Sequence, residues 1–183
     1  MSKKIVVGLV AVAVLGLALV AGLAVGYWWF AKRSQPIGPL PAEAAILPGD
    51  AGVVGGVDVR RIVSGANYKK YMAGAMADAG KDLKELEQKT GLNFERDIEG
   101  FYGAGSRVGT EQAGVFVLVG NFDAERIGKA IKEDPKSKAT TTTVEGFTVY
   151  EMKEEGKVSS HLAVPSARVL VAGTPALVAT TLA

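Results

Sequence analysis

The chain has 183 residues, one histidine and no cysteine, with 21 Lys and Arg against 19 Asp and Glu for a formal charge of +2. The lack of cysteine excludes disulfides, thiolate catalysis and cysteine metal sites. Four cations, Lys3, Lys4, Lys32 and Arg33, flank one apolar run; the rest carries 17 cations against 19 anions, a formal −2, which argues against a nucleic-acid partner because that needs a basic face on the domain.

Residues 1–4 read as a short cytoplasmic amino end. Ile5 to Phe30 follows, 26 residues without a charge or a proline. As a helix it would be about 39 Å long, more than the roughly 30 Å hydrocarbon core of a bilayer. Lipid offers no hydrogen bonds to the backbone, so a helix is the form such a run takes there. It is too long for the apolar region of a cleaved signal peptide. It ends in Tyr27, Trp28, Trp29 and Phe30, then Lys32 and Arg33, and aromatic rings followed by cations anchor a span at the headgroups. The flanking cations nearly balance, so orientation rests on length: the short amino end stays inside and the bulk is exported. The expectation is a single-pass protein of the bacterial inner membrane, in contact with membrane lipid, its carboxyl-terminal domain periplasmic. Ala18, Gly22 and Gly26 are four apart and form a stripe that lets another helix approach. The partner would be a second copy or a different integral membrane subunit, although such spacings also arise by chance in membrane helices.

Residues 31–48 read as a spacer. Ser34 to Pro48 holds four of the seven prolines, which suits a stiff, extended connection. Residues 49–183 then form the exported domain. Val53 to Val59 is an apolar, β-branched strand. Arg60 to Lys89 reads as two helices with a break near Gly80, the second running from Asp82 to Thr90 and stopping at Gly91. Asn93 caps a short turn, Phe94 to Asp97.

Ile98 to Arg107 reads as a glycine-weakened strand, and Gly114 to Phe122 as the strongest strand. Asp123 caps a helix to about Glu133, with Ile127 and Ile131 as its buried stripe. Thr140 to Val144 and Phe147 to Met152 form a hairpin around Glu145-Gly146, with a second turn at Glu154 to Lys157. Val158 to Val164 and Arg168 to Ala172 are strands. Thr174 caps a last helix with Pro175 at its first position; it reads either as a frayed end or as the edge of a longer protein. The sum is an α+β domain, a mainly antiparallel sheet packed with helices, with Thr140 to Thr143 on a solvated face.

The segments LPGDAGVVGGVDVRRI, TGLNFERDIEGF, GVFVLVGNFDAERI, VEGFTVYEM and LVAGTPALV, with a Tyr-Lys-Lys helix after the first of them, are arranged as in a group of uncharacterised single-span bacterial envelope proteins. The resemblance covers Leu47 to Leu182. It implies an exported α+β domain and brings no catalytic residues with it.

No constellation for chemistry emerges, so no catalytic, cofactor-binding or metal residue is named. His161 stands alone, without acidic residues at ligand spacing, and is expected to be a solvated or hydrogen-bonded strand residue. The glycines from Gly103 to Gly109 are followed by a strand rather than a helix, so they form a hairpin or bulge and not a phosphate loop. Asp58, Arg60 and Arg61 are candidate partner contacts, or else a local ion pair starting a helix. Glu85, Glu87, Glu95, Asp97 and Glu99 read as a solvated face. The expectation is a non-enzymatic accessory or structural subunit of a larger membrane complex, by analogy an energy-transducing one, respiratory or photosynthetic. The alternative is an envelope-anchored ligand-binding or sensing module.

Overall fold

Alternating apolar residues build one sheet with two buried faces. The computed structural model describes residues 42–65, 68, 80, 83–108, 111–134, 139–154 and 157–183. The expected span, its anchors Tyr27, Trp28, Trp29, Lys32 and Arg33, the stripe Ala18, Gly22 and Gly26, and most of the spacer lie outside these residues. Among the described residues no helix is long and apolar enough to cross a membrane.

The strands are β1 (Val53–Asp58), β2 (Ile98–Val108), β3 (Glu111–Gly120), β4 (Thr140–Val144), β5 (Phe147–Glu154), β6 (Lys157–Ser166) and β7 (Val169–Gly173). They form a seven-stranded sheet in the order β1-β2-β3-β7-β6-β5-β4, every neighbouring pair antiparallel. The fold is therefore α+β around an antiparallel sheet. Two meanders, β1 to β3 and β4 to β7, meet at the β3–β7 seam, where Val117 pairs with Val171.

Because side chains alternate, each strand feeds two cores. Phe101, Leu118, Leu162 and Leu170 face one side, where they cluster with residues of α1 (Val59–Ser64), α2 (83–90) and α4 (Ala124–Glu133). Val115, Val117, Val149, Ala163 and Val171 are fully buried on the other side, under Leu177, Val178 and Leu182 of α5 (Pro175–Leu182) and under Leu47. The sheet is thus the middle layer of three. Its rings pack too, with Phe101 and Phe116 centroids 5.3 Å apart.

Local signals set most boundaries. Asn93 accepts a hydrogen bond from the Arg96 amide at the start of α3 (Phe94–Asp97), and Asp123 accepts one from the Arg126 amide at the start of α4. These caps satisfy N–H groups that have no partner within the helix. Gly91 ends α2 at φ +74°, and Glu145 and Gly146 turn the β4–β5 hairpin at φ 50° and 81°. All three are left-handed positions; Gly91 and Gly146 adopt theirs without the penalty of a Cβ, whereas Glu145 bears it within the turn.

Four expectations need correction. The first helix stops at Gly65, only six residues after β1, while Gly80 is itself helical. The Gly65 amide bonds the Ile62 carbonyl and the backbone turns extended there. Second, of the hairpin or bulge expected from Gly103 to Gly109, the hairpin holds, since β2 pairs antiparallel with β3 up to Val108 and Glu111, whereas the bulge in β2 lies instead between Ile98 and Gly100. Neighbouring strands supply the order that the glycines themselves lack. Third, Thr174 makes no side-chain cap to α5; its amide and hydroxyl both donate to the Gly114 carbonyl, at 2.8 and 3.4 Å. Fourth, His161 is buried rather than solvated, because β5 and β7 flank it and α5 packs against β6. Its Nε2 lies 3.9 Å from Glu151 Oε1, which accepts no closer donor from the ring, and its Nδ1 has no hydrogen-bond partner.

Candidate functional site

The two edges of the sheet are built differently. β4 ends the sheet with four threonines, of which Thr140, Thr141 and Thr143 are exposed. Polar side chains on an edge discourage another strand from adding to it. β1 ends the sheet with Val53, Val54, Gly55, Gly56 and Val57, and Val53 is 72% exposed and Val54 44%. The other large exposed hydrophobics among the described residues, Ile46 and Ile62, belong to the elements on either side of β1 in the chain. Ile46 ends a 3-10 helix, Ala42–Ile46, and Ile62 lies on α1. Leu47 and Pro48 are buried between that 3-10 helix and β1. The apolar edge thus follows closely in the chain on residues 42–48, which form a 3-10 helix and two buried residues rather than the extended connection expected there.

A polar cluster borders the edge. Tyr102 of β2 lies across Gly56 and Gly100, where a Cβ on either glycine would strike its ring. Burial first, and then the charges of Asp58, Glu43 and Glu99, push its phenol above the usual tyrosine range. Glu99 emerges at the β2 bulge, accepts both terminal nitrogens of Arg168, and also pairs with Arg60. Glu43 sits 3.8 Å from Arg168. The 3-10 helix, α1, β2 and the β6–β7 turn are thereby tied together by two guanidiniums and two carboxylates. A forked arginine facing a carboxylate is a strong version of such a pair.

Of the three residues singled out as partner contacts, Asp58 accepts the Arg61 amide at 2.9 Å and so caps α1, and Arg60 is held by Glu99. Arg61 presents its side chain to solvent. The acidic residues expected on a solvated face divide. Glu95 is exposed and meets the Tyr68 hydroxyl at 3.2 Å, whereas Asp97 is buried and Glu99 is half-buried. Asp97 accepts the Asn93 amide at 2.8 Å and both Nε and Nη2 of Arg96 at 2.8 Å. Its partners explain its burial: a carboxylate leaves water only when its lone pairs are filled.

Two recesses lie elsewhere on the described surface. One is an open groove of about 370 Å³ between α4 and Tyr150, with Glu125, Lys129 and Lys132 on its wall. The other, about 240 Å³, is lined by Gly91, Arg96, Asp97, Asn121, Asp123 and Arg126. Among the described residues no group of three His, Asp or Glu is placed to hold a metal ion.

The carboxylates make stability depend on pH. The Arg96 hydrogen bond holds Asp97 below its ordinary range, and the Arg168 hydrogen bond does the same for Glu99. Both bind their proton more weakly folded than unfolded. Their contribution is complete above the unfolded values, about 3.9 for Asp and 4.3 for Glu, and is lost as pH falls through the lower folded values. Thermal unfolding of the purified protein should therefore hold steady from neutrality to about pH 5 and drop below about pH 4. Glu99→Gln should lower the neutral midpoint and flatten the acid drop; an unchanged acid profile would refute the role given to Glu99.

No family model matches the chain, and neither does any curated protein. Among solved structures, one described as the structure of crystal form IV of TP0453 is similar at a TM-score of 0.45 and 13% identity, over 74% of this chain and 47% of that one. The chain thus spans about half the length of that structure.

Proposed function

We propose that this protein is a non-enzymatic, single-span accessory subunit of a larger bacterial membrane complex. Ile5 to Phe30 holds it in the inner membrane, with lipid and the Ala18, Gly22 and Gly26 stripe as its contacts there, and the domain stands on the periplasmic side. An energy-transducing complex, respiratory or photosynthetic, is the analogy. The observation that supports the reading is the β1 edge: exposed valines on a strand whose outer side pairs with no other strand among the described residues, while the opposite edge is polar. An unpaired apolar edge offers backbone hydrogen bonds and apolar surface together, which is what a protein partner uses.

The test is extraction from native membranes in mild detergent, followed by sizing and mass spectrometry of what co-migrates. The expected result is a particle well above the mass of one chain, with defined companions. Migration as a lone monomer would overturn the proposal. A large thermal shift with one metabolite, on a chain that runs alone, would favour the sensing module instead.

A further inference from the structure

We infer that β1 pairs with β1 of a second copy, antiparallel about a two-fold axis through Gly55, joining two seven-stranded sheets into one. The inference rests on reading β1 as a contact edge and adds the identity of the contact.

The symmetry of the strand argues for self-pairing. Two antiparallel edges can join in one sheet only about an axis normal to it, so opposed residues must face the same way. Centring on Gly55 sets Val53 opposite the partner copy's Val57, and Val54 opposite its Gly56. Val53 lies on the face that carries Val57 and Phe101, as their registers with β2 show. The most exposed valine of the domain would then be covered by an apolar neighbour. Cross-strand apolar pairs of this kind stabilise sheets.

Charge follows the same axis. Asp50 lies in the turn before the strand and Arg61 on the helix after it, so antiparallel pairing brings the Asp50 end of each copy toward the Arg61 end of the other. Asp50 and Arg61 are exposed and, among the described residues, neither has an ion-pair partner within its own chain. The opposed signs are satisfied twice, once at each end. No other edge pairing does this: joining β1 to a copy's β4 would set valines against exposed threonines and leave open edges that propagate into a filament.

The absence of natural cysteine makes the test clean. A Cβ at Gly55 meets nothing within 4 Å, so Gly55→Cys fits the folded domain. Directly opposed antiparallel residues have Cα atoms about 4.5–5.5 Å apart, inside the roughly 4.4–6.8 Å span of a disulfide. The full chain carrying Gly55→Cys should, on mild oxidation in native membranes, give a covalent dimer of twice the chain mass. Thr142→Cys on the far edge should stay monomeric, and adding Val54→Lys to Gly55→Cys should cut the dimer several-fold with the unfolding midpoint kept. Equal dimer from both cysteines would overturn the inference as collision. No dimer from Gly55→Cys would overturn it too. A Gly55→Cys adduct of a different mass would also overturn self-pairing while leaving the subunit reading standing, whereas failure of that reading shows separately as a lone monomer in the native extract.

Discussion

Ile131→Ala is expected to destabilise the domain by about 2–5 kcal/mol, the usual range for emptying a buried isoleucine site. Ile131 and Ile127 lie four apart on α4 and each is 1% exposed. They belong to the core that holds Leu118, Leu162 and Leu170 of the sheet. Helix α4 has polar residues on its other side, with Glu125, Lys129 and Lys132 exposed, so the stripe is its principal attachment. Truncation removes the transfer energy of three methyl-sized groups and leaves a hole that a sheet on one side and α2 on the other are slow to fill. Thermal unfolding should show a midpoint lower by on the order of 10 °C. Lys132→Ala on the same helix should stay within about 0.5 kcal/mol. A loss below about 1 kcal/mol for Ile131→Ala would mean that α4 does not pack on the sheet.

Gly120→Ala is the second large effect. A Cβ at Gly120 would overlap the carbonyl oxygen of Asp97 and press on its carbonyl carbon and on the Phe122 ring. Backbone atoms cannot rotate aside as a side chain can. That carbonyl also accepts the Asn121 amide at 2.8 Å, and the Gly120 amide donates to Arg168 at 3.0 Å. Relieving the clash therefore opens the junction of α3, β3 and the β6–β7 turn. Overpacking costs about 1–3 kcal/mol and sometimes more, against about 0.4–1 kcal/mol gained from a stiffer unfolded chain. The net loss should lie near the upper end, about 2–3 kcal/mol. It should be read by chemical denaturation, with Gly55→Ala as the comparison because its site is open. A Gly120→Ala chain as stable as the parent would refute the close approach.

What the sequence made legible was local. Asn93 and Asp123 cap where a polar residue precedes an apolar period, the β4–β5 turn falls where Gly146 allows positive φ, and Ile127 and Ile131 are buried as their spacing implies. The strand order was not legible, because β3 pairs with β7 across the 48 residues between Gly120 and Val169 and no local signal marks that choice. Glu99 looked like a surface charge for the same reason, whereas Asp97 has its partners, Arg96 and Asn93, close by in the chain. The partner of Glu99 is Arg168, 69 residues away, and a carboxylate shows no sign of burial until its guanidinium is placed. His161 followed the strand alternation, but the helix that covers its face comes later in the chain. The β1 edge was read as a strand, yet nothing in VVGGVDV says that it stands at the end of the row. Its place at the edge of the sheet emerges only once β2 is seen to be its one strand neighbour among the described residues.

The central place of β7 has a consequence for biogenesis. Until residues 169–173 have been made, β3 has a bare flank and the two meanders remain separate halves, since the seam between them is the last hydrogen-bonded ladder to become available. A growing chain that has reached only β6 therefore offers a sticky template of Val115, Val117 and Val119 to any passing strand. Chains truncated just short of Val169 should therefore aggregate more readily than the full-length chain.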